Sequence, residues 1–125
     1  MRILIILILS VCSISAHAEN RMTWASYFTV ESCKREGTSG IMANGYPLRD
    51  DLLVCASWDY PLNSLLRVTN MSNCKSVIVY VGDRGPNWKL YDKGRRLDLG
   101  KRPFEKIADL KDGVIVVFIE QLTRG

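Results

Sequence analysis

The chain has 125 residues, a formal net charge of +4 and 47% hydrophobic residues, enough for one small domain with a modest core, and no linker, repeat or low-complexity tract divides it. The mild basic excess suits an acidic polymer such as a cell wall, whereas nucleic-acid binding needs a dense basic stripe, and Lys34-Arg35 and Arg95-Arg96 are isolated pairs. The single histidine, His17, lies in an N-terminal segment with the features of a signal, so its removal leaves no imidazole for a Ser-His-Asp triad, for general base work or for metal ligation.

In chain order, Arg2 precedes the apolar run Ile3-Leu4-Ile5-Ile6-Leu7-Ile8-Leu9, and Ala16-His17-Ala18 places small residues at the two positions a signal peptidase reads. The expectation is a signal peptide over residues 1–18 and one domain over 19–125, exported to a periplasm or beyond. The apolar run is shorter than the roughly 20 residues of a membrane span, so no membrane helix is expected after cleavage. Cys12 follows Val11, which is too large for the cleavage position of a lipid-attachment cysteine.

Residues 23–29 alternate as a half-buried strand, and a polar, glycine-containing loop covers 31–45. Strands follow at 52–56 and 64–69; a turn at 70–73 leads into a fourth at 75–81, so the third and fourth should form a hairpin. A short strand is predicted at 96–99. Pro103 opens a helix over 103–108 with Phe104, Ile107 and Ala108 on one face, and residues 114–119 form a continuous apolar strand. Six short strands with one or two short helices predict a mostly-β, closed barrel, since closure removes exposed edges.

Three cysteines remain after the signal segment: Cys33, Cys55 and Cys74. Their spacing matches no compact zinc pattern, and neither a metal nor a cofactor is expected. In an oxidising compartment one disulfide and one thiol follow from the count. Cys33 with Cys74 is the favoured pair, because Cys55 sits in the apolar stretch Leu52-Leu53-Val54-Cys55-Ala56 and reads as a small buried hydrophobe.

The best candidate for chemistry is Asp83, in Val81-Gly82-Asp83-Arg84-Gly85-Pro86, directly after the apolar run Val77-Ile78-Val79-Tyr80. A rigid strand ending at a glycine-flanked turn positions such an acid toward a ligand, although a turn aspartate also bonds its own backbone. Tyr46, Trp58, Tyr60 and Trp88 offer amphipathic rings for stacking on a ligand, or for packing.

Six segments stand in order over residues 24–122: Ala25-Ser26-Tyr27-Phe28, Ala43-Asn44-Gly45 (with Met42 in a threonine's place), the block over residues 53–64, Arg67-Val68-Thr69-Asn70, Asp83-Arg84-Gly85-Pro86 and Leu97-Asp98-Leu99. Together they resemble the bacterial rare lipoprotein A family, double-psi β-barrels related to expansins and barwin-like domains. The resemblance implies a six-stranded double-psi barrel and a lytic transglycosylase that cuts peptidoglycan between MurNAc and GlcNAc, leaving a 1,6-anhydro sugar. Asp83 matches the family's acid. The family's histidine corresponds to Ser57, and the glutamate that often follows the Asn-Gly loop to Tyr46, so two polar cleft members are missing.

The resulting expectations are Asp83 as acid/base and Ser57, Asn44, Arg84, Trp58, Trp88, Asp59 and Asp98 as candidate substrate-binding residues. Asp59 is two positions from Ser57 and enters the cleft in partial replacement of the histidine; Asp98 is read either as a cleft residue or as a structural acceptor; Arg84 contacts a wall carboxylate or pairs with Asp83. The partner expected is the peptidoglycan glycan strand, bound by a monomer. The alternative is a non-catalytic, expansin-like glycan-binding protein; a secreted inhibitor or structural module on the same barrel is a third reading.

Overall fold

A computed structural model describes residues 20–125; the segment read as a signal peptide, with Cys12 and His17, lies outside the described residues. The elements are β1 (Arg21–Phe28), α1 (Val30–Arg35), β2 (Val54–Ala56), β3 (Leu65–Asn70), β4 (Ser76–Asp83), α2 (Trp88–Asp92), β5 (Arg95–Gly100), α3 (Lys101–Ile107), a 3-10 turn (Leu110–Asp112) and β6 (Ile115–Gln121). The strands close into a barrel in the order β1-β5-β2-β4-β3-β6. Two parallel pairs, β1 with β5 and β2 with β4, are joined by antiparallel contacts, including the expected β3–β4 hairpin in which Leu66 faces Val79 and Val68 faces Val77. The mostly-β, six-stranded double-psi barrel expected from the sequence is the observed fold.

Period-two alternation explains why the barrel closes. Leu66 and Val68 on β3, Val77, Val79 and Val81 on β4, Leu97 and Leu99 on β5 and Val117 and Ile119 on β6 point into one core. The expected helix is α3, whose Phe104 and Ile107 are fully buried, with the Phe104 ring 4.8 Å from that of Tyr27. Among the described residues no helix is long and apolar enough to cross a membrane.

Two short helices were not read from the sequence. The predicted 31–45 loop begins with α1, started by a capping box in which Thr29 Oγ1 accepts from the Ser32 N–H and Ser32 Oγ accepts from the Thr29 N–H, both at 2.9 Å. Asn87 caps α2 in the same way by accepting from the Leu90 N–H.

The favoured disulfide is corrected by the fold. Cys33 is a free thiol, as is the buried Cys55. Cys33 lies on α1, within electrostatic reach of Asp83 at the C-terminal end of β4, whereas Cys74 lies in the turn before Ser76, the first residue of β4. Eight residues of strand separate those ends by about 25 Å, and a disulfide needs Cα atoms within about 7 Å.

Candidate active site

Three strand ends gather the chemistry. Ala56, the last residue of β2, is in register with Asp83 of β4 on one side and with Asp98 of β5 on the other. With strands about 4.8 Å apart, the two acids flank Ala56 at a backbone separation of about 10 Å. They occupy different environments, which sets different roles for them.

Asp83 is half-buried. Its Oδ1 accepts from the Ala43 N–H at 3.0 Å and from its neighbour Arg84 N–H at 2.9 Å, while Oδ2 has no hydrogen bond to a described residue. One oxygen is therefore fixed by the backbone and the other is not. The Ala43 donor comes from a small hairpin closed by Ile41 pairing with Pro47, with Gly45 at φ +92° in the turn that the Asn44-Gly45 pair predicts. That hairpin rests on β4: the Asn44 N–H donates to the Gly82 carbonyl, and Asn44 Oδ1 accepts from the Tyr46 N–H. Gly82 permits the approach, since a Cβ there would lie 2.6 Å from Val54 Cγ2 and 3.3 Å from Asn44 Nδ2. Asn44 shapes the rim of the site through its own turn, and Tyr46 beside it is exposed.

The Arg84 guanidinium forms no ion pair with Asp83 or with any other acid among the described residues. Its Nη1 donates to the carbonyls of Ser57 at 2.9 Å and Tyr60 at 2.7 Å, pinning the loop after β2. Ser57 is fully buried: its N–H donates to the Asp83 carbonyl, and its Oγ accepts from the Asp59 and Tyr60 N–H groups. It therefore closes a turn and does not face the open side of Asp83. Tyr60 packs into the core, which removes it from the sugar-stacking candidates. Asp59 turns away from Asp83 to pair with Arg21 at 3.0 Å and to accept from the Tyr91 hydroxyl.

Asp98 is buried against Arg95, whose Nε and Nη2 each lie 2.9 Å from Oδ1. Burial pushes its carboxyl above the ordinary value, more than the Arg95 guanidinium pulls it down. Glu36, following α1, lies within electrostatic reach of both Asp98 and Cys33; no sequence spacing pointed to it, because the barrel alone brings α1 over these strand ends. The Cys33 thiol is raised chiefly by burial. Among the described residues no cluster of His, Cys, Asp and Glu is arranged to hold a metal ion.

The segments that follow β2 and β4 also carry an aromatic pair. Trp58 and Trp88 stack at 4.5 Å with 21° between their planes, and the Trp58 Nε1–H donates to the Pro86 carbonyl at 2.7 Å, following a cis Gly85–Pro86 bond. Both indoles are exposed, Trp58 by 38% and Trp88 by 54%. Tyr91 meets Trp88 edge-on at 5.1 Å. Tyr91 did not stand out in the sequence, although its position three residues after Trp88 is a helical one-face signal.

Comparison with known proteins places this geometry. Residues 23–119 match the model of the family described as "Lytic transglycolase". Proteins named endolytic peptidoglycan transglycosylase RlpA are similar to the chain: that of Rickettsia felis is 35% identical over 107 residues, covering 85% of this chain and 45% of that protein, and that of Rickettsia prowazekii is 36% identical over 107 residues, covering 85% and 32%. The chain thus spans less than half the length of these relatives. Among solved structures, an apo Clavibacter michiganensis expansin superposes with a TM-score of 0.60 at 18% identity (85% of this chain, 52% of that one), and the Streptomyces papain inhibitor with 0.57 at 19% (81% and 93%), likenesses of fold alone. With the family match running from β1 to β6 and the relatives aligned over most of its length, the chain belongs to the lytic transglycolase family of double-psi β-barrels.

Proposed function

We propose that the chain is an exported, peptidoglycan-acting protein of the periplasm or cell exterior, a lytic transglycosylase that cleaves MurNAc–GlcNAc linkages with Asp83 as acid and base. The observation that carries this reading is the asymmetric seating of Asp83, Oδ1 held by two backbone N–H groups and Oδ2 without a hydrogen bond to a described residue, at the strand ends whose following segments carry the Trp58–Trp88 pair. Rigid placement of one reactive oxygen is what proton transfer to a bound sugar needs. The names of the relatives, endolytic peptidoglycan transglycosylases, support the same substrate.

Protonated Oδ2 gives its proton to the glycosidic oxygen as the bond to MurNAc C1 breaks and positive charge develops at C1. The MurNAc C6 hydroxyl then attacks C1, and its proton returns to Oδ2, closing the 1,6-anhydro ring and restoring the acid. No water nucleophile enters, so the two-carboxylate arrangement of ordinary glycosidases is unnecessary. Trp58 and Trp88 present ring faces to the sugars, and the Asn44–Tyr46 hairpin seats the Ala43 N–H that holds Asp83. Arg84, Ser57 and Asp59 act on the site through the loop they hold, and Asp98 supports the neighbouring strand.

The second reading, a non-catalytic glycan-binding protein resembling expansins, is favoured by Ser57: the position that matches the family histidine holds a buried serine with no free face. Digestion of purified sacculi separates the two. Release of anhydro-muropeptides by the wild type, abolished by Asp83→Asn, is the expected result. Sacculus binding without any product would establish the second reading, and full product release by Asp83→Asn would remove Asp83 from the chemistry.

A further inference from the structure

The aromatic pair does not end at Trp88. The Tyr91 ring meets Trp88 on one side and lies 4.3 Å beneath the Arg96 guanidinium on the other, while Arg96 Nη1 donates to the Tyr91 hydroxyl at 3.1 Å. The same hydroxyl donates to Asp59, which is paired with Arg21. Arg21 and Arg96 are in turn walls of a separate groove of about 610 Å³ on the outer face of β1, β5 and β6, floored by Met22, Trp24 and Val116. Trp24 is 51% exposed and Met22 54%, and the Trp24 indole lies over Gly94, where a Cβ would come within 3.6 Å of its ring. A tryptophan half open on a strand face, with a methionine beside it, is unusual for surface that serves nothing.

Resting on the peptidoglycan reading above, we infer that this groove is a remote subsite for the same polymeric strand, with Trp24 stacking on a sugar and Arg96 and Arg21 meeting the carboxylates of its stem peptides. Two observations select this occupant. The path of side chains from Trp58 through Trp88, Tyr91 and Arg96 to the groove is continuous, so a long strand held at Asp83 is led there. The groove lining contains two guanidinium groups and no carboxylate, which matches a polymer whose repeating substituents are anionic. The guanidiniums are already fixed, Arg96 on Tyr91 and Arg21 on Asp59, so little side-chain freedom is lost on binding.

The test is co-sedimentation with purified sacculi in the Asp83→Asn background, which keeps the polymer intact, using native sacculi and sacculi whose carboxylates have been converted to neutral amides by carbodiimide coupling to ethanolamine. Trp24→Thr, which keeps a good strand residue, should weaken binding to both polymers about tenfold, and Trp24→Phe should restore most of it. Arg96→Gln should weaken binding at least fivefold on native sacculi and distinctly less on the amidated ones. Ile78→Thr, exposed on β4 outside the groove, serves as the control. Equal affinity of Trp24→Thr and Ile78→Thr overturns the subsite; so does a wild-type dimer in sedimentation velocity that Trp24→Thr converts to monomer, which would make this face a contact between copies. If Trp88→Ala loses binding while Trp24→Thr does not, only the extension fails; if Trp88→Ala and the wild type bind alike, the site beside Asp83 fails with it.

Discussion

Arg84 supplies the sharpest test of how the site is held together. Its Nη1 reaches two carbonyls, those of the buried residues Ser57 and Tyr60. A hydrogen bond involving a charged group contributes about 1.5–3 kcal/mol, and a buried acceptor left unpaired costs about 1–3 kcal/mol. Because one nitrogen serves both carbonyls and water can replace part of the loss, Arg84→Ala should cost about 2–4 kcal/mol. At about 4 °C per kcal/mol for a domain of this size, the melting temperature should fall by about 8–16 °C. Arg84→Lys, with a single ammonium, should recover part of that and not all. Urea denaturation of the three proteins, run beside sacculus binding, measures both consequences. An Arg84→Ala protein within about 0.5 kcal/mol of the wild type, the range of an ordinary surface substitution, that nonetheless binds sacculi far more weakly would refute the clamp and make Arg84 a ligand of the substrate.

Gly82→Ala should cost about 1–3 kcal/mol by overpacking, because its Cβ would meet Val54 Cγ2 at 2.6 Å and Tyr80 Cε2 at 3.0 Å; a denaturation midpoint equal to the wild type's would refute the close approach. Asp98 has a carboxyl raised by burial above its ordinary 3.8, so the folded state holds the extra proton: its contribution to stability is fully present below the unfolded value and is lost as pH rises through the folded one. The stability difference between wild type and Asp98→Asn should therefore shift against the wild type on going from pH 4 toward neutrality, and a pH-independent difference would contradict it. Burial raises the thiols of Cys33 and Cys55, so alkylation at neutral pH should be slow at Cys33 and should reach Cys55 only on unfolding; a Cys33–Cys74 linked peptide in a non-reducing map would contradict the placement of these two residues at opposite ends of β4.

The strands were legible because each carries its own alternation: the β3–β4 hairpin, the continuous β6 run and the closing of six short strands all follow from period two and turn residues. What escaped was local capping and long-range placement. α1 and α2 are five or six residues long, too short for an apolar stripe, and their signals were Thr29 with Ser32 and Asn87 ahead of Leu90. Asp83 stood out because glycines flank it after a buried strand. The fates of Arg84, Ser57 and Asp59 did not, because their partners are backbone carbonyls and side chains brought in by the parallel β2–β4 pairing and by β1, which no spacing encodes. Cys33 and Cys74 paired well by count and compartment, yet α1 holds Cys33 near the Asp83 end of β4 and the turn before Ser76 holds Cys74 at the other.

The serine at position 57 bears on the chemistry more than any other departure. Its Oγ accepts two N–H groups of its own turn, and its N–H holds the Asp83 carbonyl, so the residue is spent on geometry and gives the acid no partner. Under the proposed mechanism, proton release and proton return must then both pass through Asp83 Oδ2, since Oδ1 is occupied by two amides. One group acting twice is chemically sufficient but slow, because neither step has a second side chain to share the charge. Ser57→His tests this directly. Position 57 is fully buried, so the turn must open to admit an imidazole, and it opens next to the strand end that carries Asp83, whose carbonyl the residue 57 N–H holds. The turn loses its Oγ acceptor, at a cost of about 1–2 kcal/mol, while a second proton-transfer group should raise anhydro-muropeptide release by about tenfold or more, toward the 10²–10⁴ range of general acid–base catalysis. Release that stays at the wild-type rate in a folded Ser57→His protein would mean that proton transfer at Asp83 does not limit turnover, and the single-acid account would lose its reason.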